Sequence, residues 1–429
     1  MNRAGIQGPE NAIDREALAR AAIAQLSEVQ NFREAEGWEV YLKDAPFRRP
    51  LRGNDHRFLD FRVRLELSQL LTNSALAASR ILIAAYETQM AVLSDRDEDA
   101  FRQSFYGHDT RLLFSLCVPM LEQHLFACLD PAPASTTGRP GEAARIRCLE
   151  AVLQSHDVRR NTRSYLLQML PAILFPFLLA EEGRAEDLKH VAKQVGLALE
   201  LDLSPHYYWQ FYLPSSLFFA DLLLASRLDL ARPAIGAGVL AFVANVLEGL
   251  GTALEPVVAK ASEVEVRGTG AALAAHARRL REGTHRWADQ AGFAVGFRKA
   301  AQAFQIAEDG FLMQLQWMDN IPLFSKRAAW IYERIELNEY TVPLETFVEA
   351  KDERSTTHVH DDTRLVVIES GEMDFWSDAG EPHHFVPGDA MLVPRYHLHG
   401  SVITSSECVY HQPLLSPEIL AASVKATPA

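Results

Sequence analysis

A change of hydrophobic period near residue 320 constrains the fold of this chain more than any other feature. From Glu142 to about Met318, apolar residues recur at three- and four-residue steps, the pattern of helices that bury one stripe. Beyond it come short β-branched runs punctuated by Gly and Pro: Arg364-Leu365-Val366-Val367-Ile368, then Gly371, then Glu372 to Phe375, then Pro387-Gly388-Asp389 leading into Ala390-Met391-Leu392-Val393-Pro394. Runs this short and this closely spaced argue a small β-barrel. The expected fold class is multidomain, α then β, and a length of 429 residues suits two or three domains.

The chemistry-bearing stretch of the expected barrel is Thr356-Thr357-His358-Val359-His360. Alternate residues of a strand face the same way, so His358 and His360 would present two imidazoles on one face, about 7 Å apart. A later strand carrying His399 would complete a three-imidazole metal site. Asp362 and Arg364 share parity with the pair, and an inward Arg364 would favour an anionic substrate through bidentate pairing. Phe375, Trp376, Val393 and Tyr396 are expected to wall the interior and exclude water. Tyr396 is read either as a hydrogen-bond donor to substrate or bound oxygen or as wall packing. His383 and His384 are expected in a turn before Pro387, either exposed or supporting the ligands from outside rather than binding the metal.

The helical part divides at the loop 130–141, rich in Pro, Gly, Ser and Thr. Expected domains are 1–135, with helices at Ile13–Ala35, Phe58–Leu93 and Asp97–Leu129; 142–320, helical; and 328–420, the barrel. Within the second, Ala231–Leu250, Leu254–Ala261, Ala271–Ala291 and Phe293–Met318 read as separate helices. His285 and Asp289 stand four apart and would share a helix face. Glu255 lies on the helix before, and Glu182 and His190 stand two turns apart further up, with His206 competing for the place of His190. These groups are candidate ligands of a carboxylate-rich diiron site, against the alternative of solvated surface pairs.

A net charge of −14 makes nucleic acid and anionic membrane surfaces poor partners. The stretch from Tyr165 to Ala180 is interrupted by Gln168, Pro171 and Pro176 and too short to span a bilayer. Cys117, Cys128, Cys148 and Cys408 show no C-x-x-C spacing, and no secretory signal opens the sequence, so a reduced cytoplasmic location is expected.

The barrel segment resembles the cupin family in both of its motifs. His358-x-His360 is followed by Gly371, with Arg364 where the family usually has a Glu ligand. Gly388, Pro394 and His399 match the second motif, with Tyr396 replacing a Gly. This is similar to cupin oxygenases that hold Fe(II) by three His alone, although a three-His site also suits Zn, Mn, Ni or Cu. The order Glu182, His190, Glu255, His285, Asp289 resembles the haem-oxygenase-like diiron oxidase family, whose last helix usually supplies a further His at the position held here by Gly292. The fusion of the two resembles the N-nitrosourea-forming metalloenzymes of streptozotocin-type biosynthesis. That resemblance implies a haem-oxygenase-like helical bundle that hydroxylates guanidine nitrogens, a cupin iron that rearranges the product to an N-nitroso group, and a homodimer made by the 1–135 helices. It implies an amine- or guanidine-bearing small molecule and O2 as substrates, Arg364 and Tyr396 as candidate catalytic residues, Fe(II) on His358, His360 and His399, and a second, diiron cofactor site. A single-metal cupin dioxygenase or isomerase on a helical scaffold, and a non-catalytic ligand sensor, stay open beside it.

Overall fold

The structure, a computed structural model, describes residues 139–427 except 179–185, 202–212, 214, 217–218, 220–221, 224–225, 227–232, 263, 359–361, 378–381 and 396. The three helices expected before residue 130, and the dimerisation role expected of them, lie outside the described residues. In chain order the elements are α1 (Arg147–Val152), α2 (Val158–Leu178), α3 (Glu186–Leu199), α4 (Pro233–Ser262), α5 (Thr269–Thr284), a 3-10 turn (His285–Trp287), α6 (Ala291–Asp319) and α7 (Ile321–Glu336). The strands β1 (Thr346–Ala350), β2 (Arg354–His358), β3 (Arg364–Ser370), β4 (Met373–Trp376), β5 (His383–Phe385), β6 (Ala390–Val393), β7 (His399–Ile403) and β8 (Glu407–His411) follow, and α8 (Pro417–Ala426) comes last. A helical region is thus succeeded by an antiparallel β-domain.

The helical core forms around α4, which packs along both α5 and α6. By length and composition α4 could cross a membrane, yet 72% of its most apolar window is buried by other parts of the chain, so it is a core helix. The sequence pattern divides this segment between Leu250 and Leu254; the structure instead carries one helix across it and through Pro256. The glycines are contact points rather than breaks. A Cβ on Gly249 would overlap the Ala144 carbonyl oxygen, and one on Gly238 would overlap that of Phe293 at the start of α6. Large side chains between these crossings complete the core, with Phe242 edge-on to Phe297 and Tyr165 edge-on to Phe311.

The β-domain consists of two antiparallel sheets, β1-β8-β3-β6 and β2-β7-β4-β5. Their facing sides enclose Val366, Ile368, Met391, Val393, Cys408 and Tyr410 from the first sheet and Met373, Phe375, Phe385 and Ile403 from the second. The unbroken apolar run in β3 follows from burial on both faces. Val366 and Ile368 point between the sheets, while Leu365 and Val367 pack outward with Ala328, Ile331 and Ile335 of α7. The helix α7, with Pro322 in its first turn, was not read from sequence, nor was α8, whose Ser416 hydroxyl caps the Ile419 N–H. His383 and His384 belong to strand β5 rather than to a turn.

Candidate functional site

Strand β7 alternates cleanly between two environments. Ile403 faces the space between the sheets, whereas Val402 packs against the helical core. By parity His399 belongs with Ile403, and it is buried at 5% exposure. Its ring stacks on Phe375 with centroids 5.9 Å apart. Its Nδ1 lies 2.9 Å from the His397 carbonyl oxygen, which can only accept, so Nδ1 carries a proton and in the neutral ring the lone pair is on Nε2. Imidazoles that bind metals are commonly set in this way by a backbone carbonyl. Across the ladder, the residue directly opposite His399 is His358, after an irregularity between Ser355 and His358 that lets β2 meet β7 in this register. Directly opposite positions belong to one face of a sheet, with Cβ atoms about 4.5–5.5 Å apart. Both the register and the tautomer fit a metal held by imidazoles. His360 and Tyr396 lie outside the described residues.

Arg364 opens β3 on the opposite sheet and has the inward parity of Val366 and Ile368, with 21% of its side chain exposed. Its Nε donates to Asp362 Oδ1 at 3.0 Å and its Nη2 faces Oδ2 at 3.4 Å. An anionic ligand would therefore meet a guanidinium whose fork is already turned to a carboxylate. Trp376 departs from the expected interior wall. It alternates with Phe375 on β4, belongs to the helical core, and lies so close over Gly400 that a Cβ there would sit 2.6 Å from its ring. His384 is exposed and hydrogen-bonds Asp374 at 2.8 Å, which raises its pKa. His397 is buried between the carbonyls of Arg395 and Met313, and desolvation pushes its pKa down toward the neutral ring.

The candidates in the helical region are arranged differently from their sequence spacing. His285 and Asp289 were placed on one face of one helix, but α5 ends at Thr284. His285 enters the 3-10 turn, Asp289 follows it, and both are exposed. Three residues per turn in place of 3.6 resets the phase, so a four-residue step no longer aligns them. Glu255 holds the start of α5, with Oε1 accepting from the Gly270 N–H at 2.9 Å and the Thr269 hydroxyl at 3.1 Å. His190 is exposed on α3, and Glu182 is outside the described residues. Gly292 meets α4 at close range, and a Cβ on it would lie 3.2 Å from Ala234 Cβ and 3.3 Å from Ile235 Cγ1. Among the described residues, no three His, Cys, Asp or Glu side chains are grouped to hold a metal ion.

Two polar residues on the buried stripe of α6 were not anticipated. Glu308, 1% exposed, accepts from the Tyr165 hydroxyl at 2.8 Å and from the Cys148 N–H at 3.3 Å, and burial raises its pKa. Gln314, 2% exposed, binds backbone of the β-domain. A Glu and a Gln interrupting the Phe297, Phe304, Phe311 repeat were the available signal.

The class to which this β-domain corresponds is given by residues 345–429, which match the AraC-like ligand binding domain family. More particularly, the chain is 27% identical to nitrosourea synthase from Streptomyces achromogenes subsp. streptozoticus, in a match taking in 86% of this chain and 89% of that protein. The likeness therefore extends through the helical region as well as the β-domain. Among solved structures, a cupin superfamily protein from Desulfitobacterium hafniense is 23% identical over 16% of this chain and 62% of its own, with a TM-score of 0.16. KdgF from Halomonas sp. is 16% identical over 19% of this chain and 94% of its own, with a TM-score of 0.15.

Proposed function

We propose that the chain is an iron- and O2-dependent enzyme that oxidises a nitrogen-bearing small molecule to an N-nitroso or N–N bonded product, with its chemistry in the β-domain. The observation that carries this is the direct ladder pairing of His358 with His399, the latter buried and set with its lone pair on Nε2. The likeness to nitrosourea synthase supplies the reaction class. His358, His360 and His399 would hold Fe(II), a redox-active cation with open positions for O2 and substrate. Around them the chain's own groups divide the work. Phe375, stacked on His399, keeps that ring's face dry and fixes its plane. Arg364, held by Asp362 at the start of β3, offers its remaining donors to an anionic part of the substrate, such as a carboxylate or an N-oxygenated group.

A second form of this function, in which the helical region adds a diiron centre for N-hydroxylation, draws on the same relative. The exposed 3-10 placement of His285 and the packing of Gly292 on α4 favour the single-metal form, acting on a nitrogen already hydroxylated. Anaerobic reconstitution with Fe(II), followed by iron counting and O2 uptake, separates them: about one iron per chain for the single-metal form and about three for the other. His358→Ala should abolish β-domain iron and O2 uptake. If it leaves both unchanged, the proposed function is wrong.

A further inference from the structure

Resting on the three-imidazole site just proposed, we propose that Gln314 of α6 is a positioning residue for that site, holding the His399 strand in register from the helical region. The Gln314 Nε2 donates to the Leu398 carbonyl at 3.1 Å and to the Ser377 carbonyl at 2.6 Å, while its Oε1 accepts from the Leu398 N–H at 2.9 Å. A primary amide places a donor and an acceptor on one planar group, so it grips both backbone groups of a residue as a neighbouring strand would. The residue gripped is the one immediately before His399, and Ser377 immediately follows β4, the strand paired with β7 on its other side.

Neighbouring contacts tie the same segment to the same helix. The Leu398 side chain is buried in the helical core. Further along α6, the Trp317 indole N–H donates to the Leu392 carbonyl of β6 at 3.3 Å. The grip is costly to lose, because a buried backbone donor and acceptor left unmatched each pay their full desolvation. The backbone position of His399 is therefore set by a helix that begins at Ala291, about 35 Å from Gln314 along its axis at 1.5 Å per residue. Outer partners of metal-binding imidazoles typically carry tenfold to hundredfold effects on affinity.

The test is anaerobic titration of the metal-free, full-length protein with Co(II), reading affinity and the visible ligand-field spectrum, with urea unfolding to establish that each variant is folded. The fraction of cobalt that His399→Ala removes defines the β-domain site. Gln314→Leu keeps volume and loses the grip; it should weaken that fraction by about tenfold or more and alter its spectrum. Gln314→Glu keeps the acceptor for Leu398 but turns an oxygen toward the Leu398 and Ser377 carbonyls. It should show the same defect and decides the matter if the Leu variant does not fold. Gln168→Leu removes another buried Gln, which accepts from the Leu213 N–H and the Ser216 hydroxyl within the helical region, and should bind cobalt as the unsubstituted protein does. Unchanged affinity and spectrum in the folded Gln314 variants, or an equal loss in Gln168→Leu, would overturn the positioning role alone. Cobalt binding that His399→Ala does not diminish would overturn the three-imidazole site and the positioning role with it.

Discussion

The β-domain and the helical region each offer candidate ligands read from sequence spacing, and the spacing survives in one region and not in the other. In the β-domain, His358 and His399 come from distant sequence positions and are set directly opposite in the ladder by one register pair. In the helical region, His285 and Asp289 start four residues apart and are separated by the end of a helix. A strand keeps its parity as long as hydrogen bonding to its neighbour continues, and β7 is paired on both edges. A helix keeps its phase only while its winding is unchanged. The 3-10 turn at His285–Trp287 cancels the spacing argument.

The contrast can be broken most decisively by the ligands themselves. His399→Ala should reduce β-domain iron and O2 consumption to background, whereas His285→Ala should leave both unchanged; metal analysis and an oxygen electrode check the pair. A smaller effect is expected where glycines make room. Gly400→Ala, with its Cβ 2.6 Å from the Trp376 ring, should cost about 1–3 kcal/mol in urea unfolding and perturb the neighbouring His399. Gly292→His should cost a similar amount by pushing α4 from α6, without adding iron to the helical region; a gain of iron would show that this face retains a metal site.

The mildest effect concerns Glu308. Its pKa is raised by burial from an ordinary value near 4.5. Above that value the unfolded carboxyl ionises while the folded one keeps its proton, so the folded state binds more protons and stability falls as pH rises toward the folded pKa. The melting temperature of Glu308→Gln should decline less steeply with pH across this window than that of the unsubstituted protein.

Much of this was legible in the sequence, for reasons that differ by element. The order of helical region and β-domain followed from hydrophobic period alone. The inward and outward alternation of Val366 and Leu365 was hidden inside an unbroken apolar run, because both faces of β3 are buried and polarity gives no contrast. The expected division of α4 between Leu250 and Leu254 is not observed, because Gly251 there serves close approach to the Gly270 carbonyl of α5 rather than a break. Phe375 and Trp376 cannot both wall the barrel interior as expected, because adjacent strand residues face opposite ways, and Trp376 is the one that packs into the helical core. Gln314 was passed over because what it binds is backbone, and backbone partners leave no trace in composition.

The central claim is that one metal ion is held by imidazoles from two paired strands of the β-domain. It is tested most directly by X-ray absorption at the iron edge of the Fe(II)-loaded protein and of its His399→Ala variant. Imidazole scattering from three rings, lost or depleted together with bound iron in the variant, is the predicted result. An iron shell of oxygen ligands alone, the same in both proteins, would contradict it.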